Sequence, residues 1–371
     1  MTHPERDRLS LYAIGSSYGE SGIVVLPRGG VVVVDTCMDG DEHLTLALLR
    51  ALGIHRIDLL LVTHSDLDHV RGLPALLDAA DIEVAEVWRF PGAADVRTLA
   101  ARWLRGDPSD RRLQELYEAM SRLDALAGAN RCADARGDTC SWRLTERAPV
   151  VVTCLAPSQH DLLLSRGALD KLVRMELGPK LADETLRFLK KKSRKIGGLP
   201  NVLSLAATVD WRAADVRLVL GGDVERGDGS EHSGWRGILT TLARRKAPGL
   251  GLLSHVRAVK VAHHGSRGAL EREVWDEHVR ADASETWAII APFKHGGVTL
   301  PDAEVLRDLY GRAVRLAICD AAPVASRVKA ARWRRDSSVK EVCAGPVVVL
   351  SWGLDGTCSV ARGRRAAAYA V

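Results

Sequence analysis

Short apolar runs rich in β-branched residues alternate along the chain with amphipathic stretches, which is the pattern of a layered α/β protein. Residues 23–26 and 31–34 predict two paired strands joined by the turn Pro27-Arg28-Gly29-Gly30. A helical period over 41–52 is followed by an unbroken apolar run at 57–62 that predicts a buried strand. A helix is expected over 72–79 and a strand over 84–88. From about 94 to 127 the period is helical with a break at Gly106-Asp107-Pro108, and residues 130–140 read as a loop. A strand at 150–155 precedes helical patterns over roughly 161–177 and 181–192. Residues 94–192 therefore read as a mainly helical insertion within one domain spanning 1–371. Strands are expected again at 202–209, 216–220, 256–261, 286–290 and 314–318, with helices at about 233–246, 269–279 and 302–311. A last hairpin spans about 346–361 and turns at Leu354-Asp355-Gly356. Two groups of strands with helices outside each predict an α/β fold, a four-layer αββα sandwich. A single doubly wound sheet is the alternative.

Three strand ends carry chemistry. Directly after 57–62 stands Thr63-His64-Ser65-Asp66-Leu67-Asp68-His69, two imidazoles and two carboxylates within six residues. Hard carboxylates beside borderline imidazoles suit Zn, Mn or Fe. Capping of the helix expected near Val70 would account for one acid but not for four coordinating groups. The second strand end is Leu220-Gly221-Gly222-Asp223, where the glycines let the backbone bend and place one carboxylate. The third is Val259-Lys260-Val261-Ala262-His263-His264-Gly265-Ser266, adjacent histidines followed by glycine. The last two are weak alone. Because each of the three follows a predicted strand, all can converge on one sheet edge.

Taken together, His64-x-Asp66-x-Asp68-His69, Asp223 and His263-His264-Gly265-Ser266 resemble the metallo-β-lactamase hydrolase superfamily. Within it the chain is more similar to the branch that holds the hydrolase domain of the bacterial DNA-uptake competence channel. Asp66 at the second motif position, Asn201-Val202-Leu203-Ser204, Lys260 to Ser266, Gly19-Glu20-Ser21 and Asp35 carry that likeness over about residues 11–300. The resemblance implies that His64 and Asp66 bind one metal, that Asp68, His69 and His264 bind a second, and that Asp223 bridges. It implies that Asp35 orients a ligand imidazole. His264 is preferred to His263 as the ligand because it directly precedes glycine, which leaves His263 to contact substrate. Asp68, Asp223, His263 and Lys260 form the expected catalytic set, and Asn201, Ser204, Ser266 and His295 the supporting or substrate-contacting set. The superfamily usually supplies another histidine between the first motif and the bridging aspartate, and in 70–222 the only one is His160.

One or two divalent ions, Zn or Mn, are thus the expected cofactors. The expected reaction is hydrolysis by a metal-activated hydroxide, most simply of a phosphodiester in nucleic acid or a nucleotide. Hydrolysis of a small ester, thioester or lactam is the alternative, as is a metal-containing binding or signalling module without turnover. Two basic clusters suit a phosphate-bearing partner: Lys190-Lys191-Lys192 with Arg194-Lys195, and Arg332, Arg334 and Arg335 around Trp333, which could stack on a base. The helical insertion offers room for a protein partner. Composition adds little further: 46% hydrophobic and 27% charged residues over 371 predict a packed core, and the net charge of +5 permits an anionic partner without demanding one. Seven cysteines with no CxxC pair argue against a disulfide framework. No apolar run nears the roughly 20 residues of a membrane span. The first residues lack a signal-peptide pattern, so a cytoplasmic protein without membrane contact is expected.

Overall fold

β-Branched and aliphatic runs buried on both sides become strands in two stacked sheets. The computed structural model describes residues 7–137, 140–144, 150–174, 199–227, 230–245, 249–279, 285–312 and 314–370. In chain order the strands are β1 (Leu9–Gly15), β2 (Glu20–Val25), β3 (Val31–Val34), a short ribbon of β4 (Met38–Asp39) and β5 (Glu42–His43), β6 (Arg56–Val62), β7 (Glu83–Arg89) and β8 (Cys132–Asp134). Then come β9 (Ser141–Leu144), β10 (Val150–Ala156), β11 (Ala206–Trp211), β12 (Val216–Leu220), β13 (Val256–Lys260), β14 (Trp287–Ile290), and a second ribbon of β15 (Phe293–His295) and β16 (Val298–Leu300). The last are β17 (Arg315–Ile318), β18 (Arg334–Arg335), β19 (Lys340–Cys343), β20 (Val347–Trp352), β21 (Cys358–Gly363) and β22 (Ala367–Ala370). One nine-stranded sheet runs β19-β21-β20-β1-β2-β3-β6-β7-β8, and the other β18-β22-β17-β14-β13-β12-β11-β10-β9.

Alternation along the second sheet sets the layers. Leu218, Leu220, Ala258 and Ile289 share one core with Leu11, Val24, Val32 and Leu59 of the first sheet. Their neighbours Val219, Val259, Ala288 and Leu316 pack instead with Ile238 and Leu242 of helix Gly234–Arg244 and with Leu306 and Leu309 of helix Ala303–Gly311. Against the first sheet lie helices Leu44–Ala51, Leu73–Leu77 and Arg111–Gly128, which bury Leu49, Leu76 and Leu123. Each such side chain contributes on the order of 1.5–3 kcal/mol through burial. The result is a four-layer αββα sandwich, not a single doubly wound sheet. No helix of the described residues is long and apolar enough to cross a membrane.

Parallel pairing puts the strand ends together. β3, β6 and β7 run parallel in one sheet, and β12, β13, β14 and β17 in the other. Their carboxyl ends lead into Asp35, Thr63, Gly221, Val261 and Ala291, all on one edge of the sandwich.

Several elements differ from the sequence expectation. The helical stretch after 93 is not among them: as the break at Gly106-Asp107-Pro108 predicts, it is two helices, Ala93–Gly106 and Arg111–Gly128, with Asp110 capping the second. Residues 130–140, read as a loop, hold the three-residue strand β8, too short to show a period. The strand expected over 202–209 begins only at Ala206. Leu199–Val202 is a helical turn, and the chain then crosses to the first sheet, where the Leu205 amide donates to the Thr63 carbonyl at 2.9 Å. β1, β22 and the β15–β16 ribbon were not foreseen. The helix expected over 181–192 and the basic residues 190–195 lie outside the described residues, as does part of the expected insertion 94–192.

Candidate metal centre

The first motif turns sharply off β6 into the short helix Leu67–Val70. Asp66 occupies the helix N-cap but its side chain makes no capping bond, so capping does not account for it. Instead His64, His69 and Asp68 point inward. The two imidazoles are fully buried with ring centroids 4.0 Å apart.

Each buried imidazole is fixed from behind through Nδ1. Asp35, in the left-handed region at φ 55°, accepts at Oδ1 from the Thr63 amide (2.7 Å) and at Oδ2 from the Thr63 hydroxyl (2.7 Å). His69 Nδ1 donates to the same Oδ2 at 2.8 Å, and His64 Nδ1 donates to Thr63 Oγ1 at 2.9 Å. His264 Nδ1 donates to the Ala291 carbonyl at 3.0 Å. A carbonyl or carboxylate on Nδ1 selects the tautomer whose Nε2 carries a lone pair, so all three rings offer Nε2 to the centre.

The glycines before Asp223 have a steric reason. Gly222 sits at φ 51°, and a Cβ there would lie 2.2 Å from the Leu205 carbonyl oxygen. That approach brings the Asp223 amide to Ser204 Oγ at 2.9 Å and buries the carboxylate between the imidazoles. Asp223 Oδ1 is 3.3 Å from His69 Nε2, and Oδ2 is 3.7 Å from His64 Nε2. His263 and His264 both take left-handed backbone, φ 46° and 53°, which costs roughly 1–3 kcal/mol for each such residue. The strained turn sends His264 Nε2 to 3.0 Å from Asp68 Oδ2 and leaves His263 Nε2 3.9 Å from Asp223 Oδ2.

Two donor sets follow, sharing Asp223. One holds His64, Asp66 (Oδ2 3.8 Å from His64 Nε2) and Asp223 Oδ2. The other holds His69, Asp68 (Oδ2 3.7 Å from His69 Nε2), His264 and Asp223 Oδ1. Donors around a tetrahedral Zn are about 3.3 Å apart when each bond is about 2.0 Å. Three of these buried atoms, His64 Nε2, His69 Nε2 and Asp223 Oδ1, have no hydrogen-bond partner. Unpartnered buried polar atoms facing one another are costly unless a cation lies between them. The residues therefore fit one or two divalent ions, and His64, His69 and Asp223 offer donor atoms within 4.8 Å of one another.

Charge agrees with this. Burial, reinforced by His69, pulls the His64 imidazole down to about 3, so it is neutral. Burial alone would lower His264, but Glu20 and Asp68 outweigh it and push the ring up to about 10. Burial would raise Asp223, but His69, His263 and His64 hold it well below the carboxylate range. Asp66, 48% exposed, is the open side of the cluster, and its carboxyl is pushed up by desolvation and by Asp68 and Asp223.

Comparison with known proteins meets this geometry at its first motif. Residues 18–94 match the Metallo-beta-lactamase superfamily. That segment holds Glu20, Asp35 and the whole turn 63–69. The chain is 36% identical over 88 residues to a ribonuclease Z from Bradyrhizobium sp. (strain ORS 278), a match covering 22% of this chain and 28% of that protein. It thus spans less than a third of that relative's length. Two solved structures align at 12% identity and TM-score 0.28. They are a chemotaxis sensor ODP in a peroxy diiron form, over 60% of this chain and 62% of that one, and the DIM-1 metallo-beta-lactamase exposed to ceftazidime, over 64% and 78%. The αββα sandwich is that of the metallo-β-lactamase fold.

Around the superfamily motif, other expected residues are placed unevenly. Asn201 Nδ2 lies 3.3 Å from His263 Nδ1, as does Ser266 Oγ, and Ser204 supports Asp223. His295 is exposed and lies with its ring 5.1 Å from that of Tyr18 and 6.4 Å from that of Phe293. Lys260 departs from its expected catalytic place. Its ammonium is bonded to Glu20, behind the imidazoles and largely buried, where it neutralises that carboxylate instead of meeting substrate. His160 sets its ring 5.8 Å from that of His232 and joins neither donor set. Trp333 is no exposed stacking platform: it is buried, edge-on to Tyr310, with its indole N–H donating to the Leu306 carbonyl at 3.0 Å.

Sequence reasoning gave no role to two carboxylates, although it had marked Glu20 within Gly19-Glu20-Ser21. Glu20, paired with Lys260, lies 3.1 Å from His264 Nδ1. It could be grouped with His69 and His264 as a third set of donors. The Nδ1 atoms on its side already donate to Asp35 and Ala291, however, so Glu20 orients the rings and does not ligate. Glu225 lies 2.5 Å from His263 Nδ1. Only the Asp-x-Glu spacing after Gly222 could have drawn notice to it.

Proposed function

We propose that this chain is a metal-dependent phosphodiesterase, with His64, Asp66 and Asp223 holding one divalent ion and Asp68, His69, His264 and Asp223 a second. The observation that carries the reading is the convergence of unpartnered Nε2 and carboxylate atoms on Asp223. When bound, such ions supply Lewis acidity and lower the pKa of a coordinated water. Zn and Mn both suit this mixed imidazole and carboxylate set.

The chain's own residues divide the remaining work. Asp35, Thr63 and Glu20 hold the ligand imidazoles from behind, so the centre needs little reorganisation. His263 is the one imidazole of the cluster with substantial exposure, 26%, and its Nδ1 is held by Glu225. Burial would lower it, but Asp223 and Glu225 outweigh that and raise it, which favours a proton on Nε2. From there it donates to the leaving oxygen of the ester.

A phosphodiester is favoured over other esters by two features. The chain is 36% identical over 88 residues to a ribonuclease Z, whose name points to a phosphodiester substrate. Arg112, exposed at the start of helix Arg111–Gly128, pairs with no carboxylate among the described residues and is free to meet a phosphate. The test is hydrolysis of bis-p-nitrophenyl phosphate by metal-stripped protein reloaded with Mn or Zn, beside Asp223→Ala. Metal-dependent release that the variant loses is expected. No release with either metal, together with turnover of p-nitrophenyl acetate, would replace this reading by that of a small-ester hydrolase.

A further inference from the structure

One wall of the centre is aromatic and has no part in holding the ligands. It joins two pieces of chain far apart in sequence: the loop between β1 and β2, which carries Tyr18, and the β15–β16 ribbon, which carries Phe293 and His295. The Lys294 amide donates to the Ser17 carbonyl at 2.7 Å and ties the two together. Tyr18 lies 5.7 Å from Phe293 and 5.1 Å from His295 between ring centroids, and Phe293 and His295 are 6.4 Å apart. Phe293 in turn lies 5.2 Å from the ring of His264, so the wall begins where the donor set ends.

The position is built, not incidental. Gly19, at φ 114°, is pressed against the first motif, where a Cβ would meet the Asp68 carbonyl oxygen at 3.1 Å. Only glycine lets the Tyr18 loop come that close. Tyr18 and Phe293 are half-buried and His295 is exposed, so the rings present area to the mouth and are not sealed in the core. Burial raises the Tyr18 phenol, and smaller opposing effects of Asp68 and of the exposed Arg112 show that both charges act on the ring.

We propose that Tyr18, Phe293 and His295 form a stacking wall for an unpaired base of a single-stranded nucleic acid, with Arg112 meeting an adjacent phosphate. This rests on the phosphodiesterase reading and narrows its substrate. Aromatic rings bind bases through their π-faces with little regard to sequence, and a cation beside them tracks the backbone. A duplex cannot use such a wall, because its bases are already stacked on each other.

The test measures fluorescence anisotropy of the Mn-loaded chain with a labelled phosphorothioate oligothymidine, with an abasic strand of equal length, and with a duplex. Stacking predicts about ten-fold tighter binding of the base-bearing strand than of the abasic one. Tyr18→Ala should abolish that preference, and Tyr18→Phe should keep it. Equal affinity for the two strands in the unaltered chain, a duplex bound as tightly as the single strand, or no binding at all would overturn the wall. So would a preference that survives in a folded Tyr18→Ala. Should that variant fail to fold, the comparison of strands on the unaltered chain and on His295→Ala decides alone. Hydrolysis of methyl p-nitrophenyl phosphate, which has no base, reports separately on the phosphodiesterase reading: turnover without base preference sinks only the wall.

Discussion

His69 donates from Nδ1 to Asp35 Oδ2 at 2.8 Å, and that carboxylate also takes the amide and hydroxyl of Thr63. One carboxylate held on left-handed backbone therefore fixes His69 directly and His64 through Thr63. Asp35→Asn keeps the shape but offers an amide where a carboxylate accepted three donors. Either the His69 tautomer reverses or the amide clashes with a donor. Metal affinity should fall about 10- to 100-fold, the range seen when such supporting groups are changed. Competition against a chromogenic chelator measures it. An unchanged affinity would mean that Asp35 serves only the fold.

Gly222 is held by close approach as much as by conformation. Alanine there would put a Cβ 2.2 Å from the Leu205 carbonyl oxygen and 2.7 Å from Ser204 Oγ, and neither backbone nor hydroxyl can yield without moving Asp223. Gly222→Ala should destabilise the chain by about 2–4 kcal/mol, since overpacking and a strained φ act together. Urea denaturation checks it, and a loss below about 1 kcal/mol would show that the turn can relax.

Metal should displace protons from this centre. His264 is pushed up to about 10 against its ordinary 6.5, and His69 is raised as well, so both are protonated in the metal-free chain at neutral pH. Folded pKa values above the unfolded ones mean that their ion pairs stabilise the metal-free chain fully below about pH 6.5. That contribution is then lost as pH rises toward 10. A divalent ion takes over the same carboxylates without needing those protons. The rise in Tm on adding Mn or Zn should therefore grow from pH 6.5 toward 10, and calorimetry in buffers of different ionisation enthalpy should detect proton release. A metal-induced Tm shift independent of pH would place the ion elsewhere.

How far the sequence reveals this centre depends on how its residues are spaced. His64, Asp66, Asp68 and His69 stand out because one strand end carries them within six positions, and the glycines before Asp223 mark a bend that only they permit. The buried runs that become β6, β12 and β13 were legible for the same reason: unbroken apolar stretches of strand length have few other uses. Glu20 and Glu225 were not, since a single carboxylate reveals its partner only when distant strands meet. Trp333 misled because Arg332, Arg334 and Arg335 suggest an exposed site, whereas one residue of that stretch points inward onto Tyr310 and Leu306. Lys260 misled likewise: its motif lies beside the centre, but β13 directs the side chain back between the sheets to Glu20. The β15–β16 ribbon has too few residues to show an alternation, so the wall it builds with Tyr18 could not be foreseen.

The pairing of His263 with Glu225 yields the sharpest kinetic expectation. Glu225 Oε1 lies 2.5 Å from Nδ1, and together with Asp223 it overcomes burial to raise the ring's pKa. If His263 protonates the leaving oxygen, activity falls at alkaline pH as the ring loses its proton. Glu225→Gln removes one of the charges that holds the proton, so the alkaline limb should move to lower pH. The rate on its plateau should fall by less than the roughly 10²- to 10⁴-fold of a whole general-acid contribution, because the acid itself remains. His263→Gln should remove that limb altogether while leaving the donors His64, His69 and His264 in place. A pH–rate profile of kcat for bis-p-nitrophenyl phosphate with all three proteins separates the outcomes. If Glu225→Gln leaves the limb where it was, the proton comes from another group, and His263 is better read as a further ligand beside Asp223 Oδ2, 3.9 Å away.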